Sequence, residues 1–562
     1  MQTIRPRLSA TLLLVAALTQ LTACGGSSSN SSSSSSGDPA SPLQRDTRNG
    51  TVVGVSSAGT YAWLGIPYAK PPVGALRWMP PVDADSWFGV RPMQQFGASC
   101  AQGGRFFSPA PNNAPYGLAV RDGFNNPVGS EDCLTLNIWR PATTDTKLPV
   151  IVFIHGGSNI SGYSADPVYN GEALAKKAQA VVVTINYRLG LLGWLDLPQL
   201  KTGDARADSG NFATLDQVQA LKFVNANINA FGGDAGNVTV MGQSAGAVNV
   251  WAMLLSPLTD GLMHKAISMS GGISTATSAV AQTYANGLLA ALVIADGLAP
   301  DAAAAQRYIA TQTSSQIAAY LRGKKSDDIL RVSLANPALG NAPAVISDGT
   351  VIPAAPAAAI AAGNYRHVPV LSGNTAEEGK LFGAAVAAYK PNDYDRFTMQ
   401  YNFNPDAAPS LVESDLLNAP FLPVDKPALG WNAVSASLTS AIFLSANTAS
   451  MNALALKQPT QLWYYRFDWN QEPAPFNTVY GAAHAIDIPF AFGNFGQNIF
   501  SFAYSKANQP GREALSNAMM ASVAAFVKTG NPNNAALATN WANWPATLVF
   551  DASASQTRIH TN

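Results

Sequence analysis

Between residues 150 and 371 the chain alternates short apolar runs with longer stretches in which apolar residues recur every three or four positions. Val150 to Ile154, Val181 to Ile185, Val238 to Met241, Ala266 to Met269 and Val368 to Leu371 have the length and composition of buried strands. Between the second and third, Phe212, Leu215, Val218, Leu221, Val224, Ile228 and Phe231 predict a helix with one buried face that stops at Gly232. The Ala-rich region from about Thr275 to Arg322 predicts helices laid outside the sheet. No repeat of fixed period interrupts this order. Strands alternating with helices are the pattern of an α/β domain, a parallel or mixed sheet covered by helices.

The pattern changes at the N-terminus. Arg5 and Arg7 precede an apolar run from Leu8 to Leu18, too short to cross a bilayer, and Leu21-Thr22-Ala23-Cys24 follows. This order predicts a signal peptide over 1–23 with a lipobox-like end that makes Cys24 the lipidated first residue of the mature protein. The Ser-rich stretch Ser27 to Ser36 has too little apolar surface to fold, so 24–45 is expected to be a tether and 46–562 the folded domain. The expected location is outside the cytoplasm, anchored in the cell envelope by lipid or, if the signal is simply cleaved near Cys24, periplasmic or secreted.

Composition narrows the class. The 562 residues are 47% hydrophobic, enough for a large core, and only 12% charged, with 34 basic against 34 acidic residues. That balance gives a polyanion no attraction, which argues against nucleic acid as a partner. Besides Cys24 the chain has Cys100 and Cys133, which an oxidising compartment is expected to pair, and no cysteine–histidine cluster suited to zinc.

The candidate chemistry lies at strand ends. Gly242-Gln243-Ser244-Ala245-Gly246 follows the Val238 strand and leads into the apolar segment Val248 to Leu255. A serine there sits on a sharp strand-to-helix turn whose neighbours must be small. His155-Gly156-Gly157-Ser158 ends the Val150 strand, where a glycine-rich turn could offer backbone N–H groups to an oxyanion together with that of Ala245. If a serine, an acid and a histidine follow in that order, His484 in Tyr480-Gly481-Ala482-Ala483-His484 is the best-placed base, because His560 lies two residues from the end. For the acid, Glu377 and Glu378 both follow the Val368 strand, and residue chemistry alone does not choose between them.

Together these residues resemble the type-B carboxylesterase and cholinesterase-like family of α/β-hydrolases, from about Gly50 to Asn562. The resemblance extends to Trp63-Leu64-Gly65-Ile66-Pro67-Tyr68-Ala69, to Ser130-Glu131-Asp132-Cys133-Leu134, to Asn186-Tyr187-Arg188 and to Phe231-Gly232-Gly233-Asp234. It implies a large, mostly parallel sheet flanked by helices, with helical insertions over the active site. It also implies hydrolysis of a small carboxylic ester without a cofactor, through Ser244, His484 and Glu378 with an acyl-enzyme. The backbones of Gly157, Ser158 and Ala245 would be the oxyanion donors, Cys100 and Cys133 a disulfide, and Arg77 with Glu131 a structural ion pair. Three residues depart from the family pattern. Ser158 stands for a glycine, Gln243 for a glutamate and Asn159 for an aromatic residue, which bears on acyl-pocket shape and on any preference for cationic alcohols. The same resemblance is compatible with a non-catalytic adhesion protein and, among enzymes, with a lipase, an aromatic-acid or polyester esterase, or an amidase.

Overall fold

All five apolar runs become strands of one sheet. A computed structural model describes residues 41–562, so the signal peptide, Cys24 and the Ser-rich stretch lie outside the described residues. In chain order the eleven strands of the main sheet are β1 (Val55–Ser57), β2 (Thr60–Pro67), β3 (Thr135–Pro141), β4 (Leu148–Ile154), β5 (Val181–Ile185), β6 (Gly233–Gln243), β7 (Lys265–Met269), β8 (Val370–Thr375), β9 (Leu462–Phe467), β10 (Thr547–Phe550) and β11 (His560–Thr561). Across the sheet they run β11-β10-β9-β8-β7-β6-β4-β5-β3-β2-β1. Neighbours from β5 through to β10 are parallel. The outer strands β3, β2 and β1 on one side and β11 on the other pair antiparallel. This is the α/β-hydrolase architecture.

Helices cover both faces because the central strands are apolar on both. The helices that matter here are α1 (Glu172–Ala178), α2 (Phe212–Asn227), α3 (Ala245–Leu255), α4 (Ser278–Ala295), α5 (Ala302–Ala310), α6 (Ser314–Gly323), α7 (Ser326–Ala335) and α8 (Gln509–Thr529). Along β4, Val150, Val152 and Ile154 join a core with Leu221 of α2 and Val250 of α3. The alternate residues Ile151 and Phe153 join another with Leu174 of α1 and Met519 and Phe526 of α8. Period-two alternation thus feeds two cores, each large side chain contributing roughly 1.5–3 kcal/mol on burial. Helices α4 to α7 gather a third core around Leu288, Ile309, Ile317, Leu321 and Ile329, as the Ala-rich region predicted.

Three elements depart from the sequence reading. Helix α2 is buried on nearly all sides rather than on one face. Its Asp216 takes a bidentate pair from Arg188 at 2.8 and 2.7 Å, which lets a charge sit in the core. Removing either partner of such a buried pair costs about 3–5 kcal/mol. The Val368 strand begins instead at Val370 and runs to Thr375, because its polar end is satisfied internally. Ser372 donates to Asn447 at 2.8 Å, and Asn447 donates to Asn374 at 2.7 Å. Ordered structure also begins before residue 46, since Gln44–Thr47 pairs antiparallel with Gly50–Val53.

The sheet order sets the place of the site. From β4 the chain passes to β5 on one side, while β6 lies against β4 on the other. The order reverses at β4, and the turns after β4 and β6 flank the crevice where ligands of open α/β sheets bind.

Candidate active site

Ser244 occupies the turn between β6 and α3 with φ 58° and ψ −126°. A non-glycine residue held there costs about 1–3 kcal/mol, which the surrounding packing must sustain. The residues two before and two after it must be glycine, because a Cβ on Gly242 would lie 2.3 Å from the Gly246 carbonyl and one on Gly246 would lie 2.0 Å from that of Ile154. The Ser244 N–H donates to Met269 at the end of β7 at 2.8 Å, which fixes the turn against the sheet.

The turn after β4 lies against this serine. A Cβ on Gly156 would sit 3.0 Å from the Ser244 Cβ, and Gly157, Ser158 and Asn159 follow with φ of 101°, 56° and 59°. His155 anchors the turn from below, stacked on Tyr187 with ring centroids 4.5 Å apart. Burial pushes its imidazole down to about 4, so it is neutral, and the Tyr187 hydroxyl donates to its carbonyl at 2.7 Å. Among the described residues the backbone N–H groups of Gly157, Ser158 and Ala245 donate to no protein acceptor.

Glu378 and His484 meet at the end of β8. Oε2 of Glu378 hydrogen-bonds Nδ1 of His484, and both side chains are buried. Oε1 of Glu378 accepts from the Thr375 N–H at 2.8 Å and from the Asn374 amide at 3.0 Å. Burial alone would raise this carboxyl, but the charge and hydrogen bond of His484, with the amide of Asn374, outweigh it and hold Glu378 below its ordinary value. Phe382 and Phe443 cover the imidazole, with ring centroids 5.2 and 4.5 Å away.

Glu377 faces the other way. Its N–H donates to the Ala482 carbonyl at 2.9 Å and its Oε2 accepts from the Ala482 N–H at 3.0 Å, while Oε1 pairs with buried Lys380 at 2.6 Å. A Cβ on Gly481 would lie 2.2 Å from that Oε2, so glycine is required for the close approach. One glutamate of the pair therefore faces the histidine ring and the other clamps the histidine's loop.

Ser244, His484, Gly157 and Ser158 share a cavity of about 170 Å³ whose walls are otherwise mainly apolar, with Phe106, Phe107, Leu381 and Phe500 among them. The side chain of Gln243 also faces it, its Nε2 lying 3.1 Å from Nε2 of His484. Among the described residues no cluster of three or more His, Cys, Asp or Glu side chains is placed to hold a metal ion.

Residues 41–560 match the model of the carboxylesterase family. The chain is 32% identical over 520 residues to the para-nitrobenzyl esterase of Bacillus subtilis, covering 90% of this chain and 94% of that one. The chain belongs to the carboxylesterase family. It is a carboxylic ester hydrolase. The human cocaine esterase is also 32% identical, over 92% of this chain and 87% of its own. Among solved structures, a para-nitrobenzyl esterase superposes with a TM-score of 0.71 at 29% identity, over 92% of this chain and 97% of that one.

In this carboxylesterase the structure brings Ser244, Glu378, His484, Gly157, Ser158 and Ala245 to one end of the sheet. The other expected residues lie elsewhere. Cys100 and Cys133 are joined as a disulfide. Arg77 pairs with Glu131 at 2.6 and 2.5 Å and donates to the Leu321 and Lys324 carbonyls of the helical insertion, which makes it a brace between layers. Sequence reasoning missed the loop clamp by Glu377 and Lys380, the support of Glu378 by Asn374, and the contact between Gln243 and His484. The first two depend on partners about a hundred or only a few residues away whose pairing no local pattern encodes. Gln243 was visible only as a departure from the family motif.

Proposed function

We propose that the enzyme cleaves small-molecule carboxylic esters through a serine acyl-enzyme, with Ser244 as nucleophile, His484 as general base and Glu378 as the orienting acid. The observation that carries this reading is the buried Glu378–His484 pair opening onto the cavity that holds Ser244. With Nδ1 committed to Glu378, Nε2 of His484 is the basic nitrogen left to take a proton. Ser244 Oγ attacks the ester carbonyl as His484 accepts its proton, and negative charge forms on the carbonyl oxygen beside the N–H groups of Gly157, Ser158 and Ala245. The alcohol leaves with the proton from His484. Water activated by the same imidazole then attacks the acyl-enzyme and releases the acid.

The test is rapid mixing with a para-nitrophenyl ester. The account expects a nitrophenolate burst stoichiometric with enzyme, absent in Ser244→Ala and His484→Ala. A full-amplitude burst from Ser244→Ala contradicts it. Export and lipid anchoring through Cys24 are part of the same proposal, supported by the Cys100–Cys133 disulfide, which suits an oxidising compartment. Cys24→Ser should move the enzyme out of the membrane fraction, and unchanged fractionation would refute the anchor.

A further inference from the structure

The cavity at Ser244 has an electrostatic asymmetry that ester cleavage itself does not require. Among the described residues its walls carry one arginine and one carboxylate, Arg105 and Asp393. Asp393 is already engaged, paired with Arg396 at 2.7 Å. Arg396 is in turn held between the rings of Phe106 and Tyr389, at 4.1 and 4.3 Å. Arg105 has neither an ion pair nor a side-chain hydrogen bond among the described residues. Its backbone is nonetheless fixed, with its N–H donating to Ser108 Oγ at 3.0 Å and its carbonyl accepting from the Ser108 N–H at 3.0 Å.

Arg105 is also shared between two cavities. A second space of about 290 Å³, bounded by Gln102, Asn125, Tyr284, Ser333 and Asn341 among others, meets the first along Arg105 and Ile160. Among the described residues that line this second space, Arg105 alone is charged. Burial pulls its guanidinium below the ordinary value, and the field of Asp393 offsets this only in part. A partly buried cation with no protein partner is free to engage a ligand, and a guanidinium fork matches a carboxylate with two parallel hydrogen bonds. The side-chain amides of Asn125 and Asn341, which donate to no protein acceptor among the described residues, supply further donors for the same group.

We propose that Arg105 recognises a carboxylate on the substrate, so that the preferred esters carry an anionic arm reaching past Ile160 toward the second cavity. Gln243, a neutral residue beside the nucleophile, adds no negative charge at this end, and the Asp393 carboxylate is paired with Arg396. The inference rests on the reading of Ser244, His484 and Glu378 as the ester-cleaving groups.

The experiment uses two isosteric substrate pairs, with the charge on either side of the ester. On the acyl side, mono-para-nitrophenyl glutarate is compared with its carboxamide analogue. On the alcohol side, para-carboxyphenyl butyrate is compared with para-carbamoylphenyl butyrate. The readout is the anionic-to-neutral ratio of kcat/KM in wild type, Arg105→Gln and Arg105→Lys, with folding checked by circular dichroism. A charge-assisted hydrogen bond is worth about 1.5–3 kcal/mol, so Arg105→Gln should lower the ratio about 10- to 100-fold in at least one pair, mainly through KM, and Arg105→Lys should recover part of it. Wild type that hydrolyses both members of each pair, with ratios that Arg105→Gln leaves unchanged, overturns this inference alone. Wild type that cleaves none of the four esters overturns the ester-cleaving reading, and this inference with it.

Discussion

The side-chain amide of Gln243 lies 3.1 Å from Nε2 of His484, the nitrogen to which the proposed mechanism assigns the proton of Ser244. Because Nδ1 of the ring faces Glu378, Nε2 is the acceptor, and the amide must present its NH2 group to it. Among the described residues Ser244 makes no hydrogen bond to His484, so the proposed attack requires the hydroxyl to displace the amide. The same residue keeps negative charge away from the nucleophile. The enzyme should therefore prefer a neutral alcohol to its quaternary-ammonium isostere. Gln243→Glu should shift the ratio of kcat/KM toward a choline ester by about 10-fold, a fraction of the ~4 kcal/mol that two charges 4 Å apart exchange at an effective dielectric of about 20. A wild-type preference for the choline ester contradicts this.

The two adjacent glutamates should separate cleanly by kinetics. Glu378→Gln removes the charge that opposes the forming imidazolium and disturbs the tautomer, which in a serine triad costs about 10⁴-fold in kcat. Glu377→Gln keeps an oxygen for the Ala482 N–H and loses mainly the ion pair with Lys380, so it should cost about 10-fold or less and lower Tm. Equal losses of kcat would sink the assignment.

Much of this was legible in the chain, and the rest shows what pattern reading lacks. Val181–Ile185 is a strand with the boundaries its apolar run predicted, and Gly232 ends the helical segment with φ 78°. Apolar periodicity works where burial is achieved by apolar residues alone. It misplaced the end of β8 and the environment of α2 because Ser372, Asn374 and Asp216 are buried through partners distant in sequence. The candidate site was legible through its motifs, since a strained turn admits few residue types. Arg105 carries no motif, and its significance depends on which charges lack partners in three dimensions.

At Ser158 the structure sets which substitution is informative. Its φ of 56° excludes proline, whose ring fixes φ near −65°, so Ser158→Pro would disrupt the turn whatever the role of the N–H. Glycine tolerates that φ and keeps the donor. Ser158→Gly and Ser158→Ala should both hold kcat within about threefold, against the 10²- to 10³-fold cost of losing an oxyanion donor. A hundredfold loss in both would make the hydroxyl the working group.

Asp487 gives a pH dependence of stability. It is fully buried, accepts from the Tyr465 hydroxyl at 2.7 Å, and is raised from 3.8 to about 7. Burial is the main cause, the Tyr465 hydrogen bond and His484 oppose it, and the nearby charge of Glu378 adds to it. Between those two values the folded protein holds a proton that the unfolded chain releases. Stability from this group is therefore complete below about pH 4 and is lost as pH rises through about 7. Asp487→Asn keeps an acceptor for Tyr465 without the titration, so its Tm relative to wild type should climb between about pH 4 and about pH 7 and then level off. A flat difference would show that the carboxyl does not titrate there.

The most direct test of the whole account is covalent labelling with an organophosphonate ester, followed by peptide mass spectrometry. Wild type should take up one phosphonyl group per chain, on the peptide that contains Ser244, with activity lost in proportion. Ser244→Ala should remain unlabelled under the same conditions. Labelling of Ser244→Ala at a rate comparable to wild type, or of a different serine in wild type, contradicts the assignment of Ser244 as nucleophile.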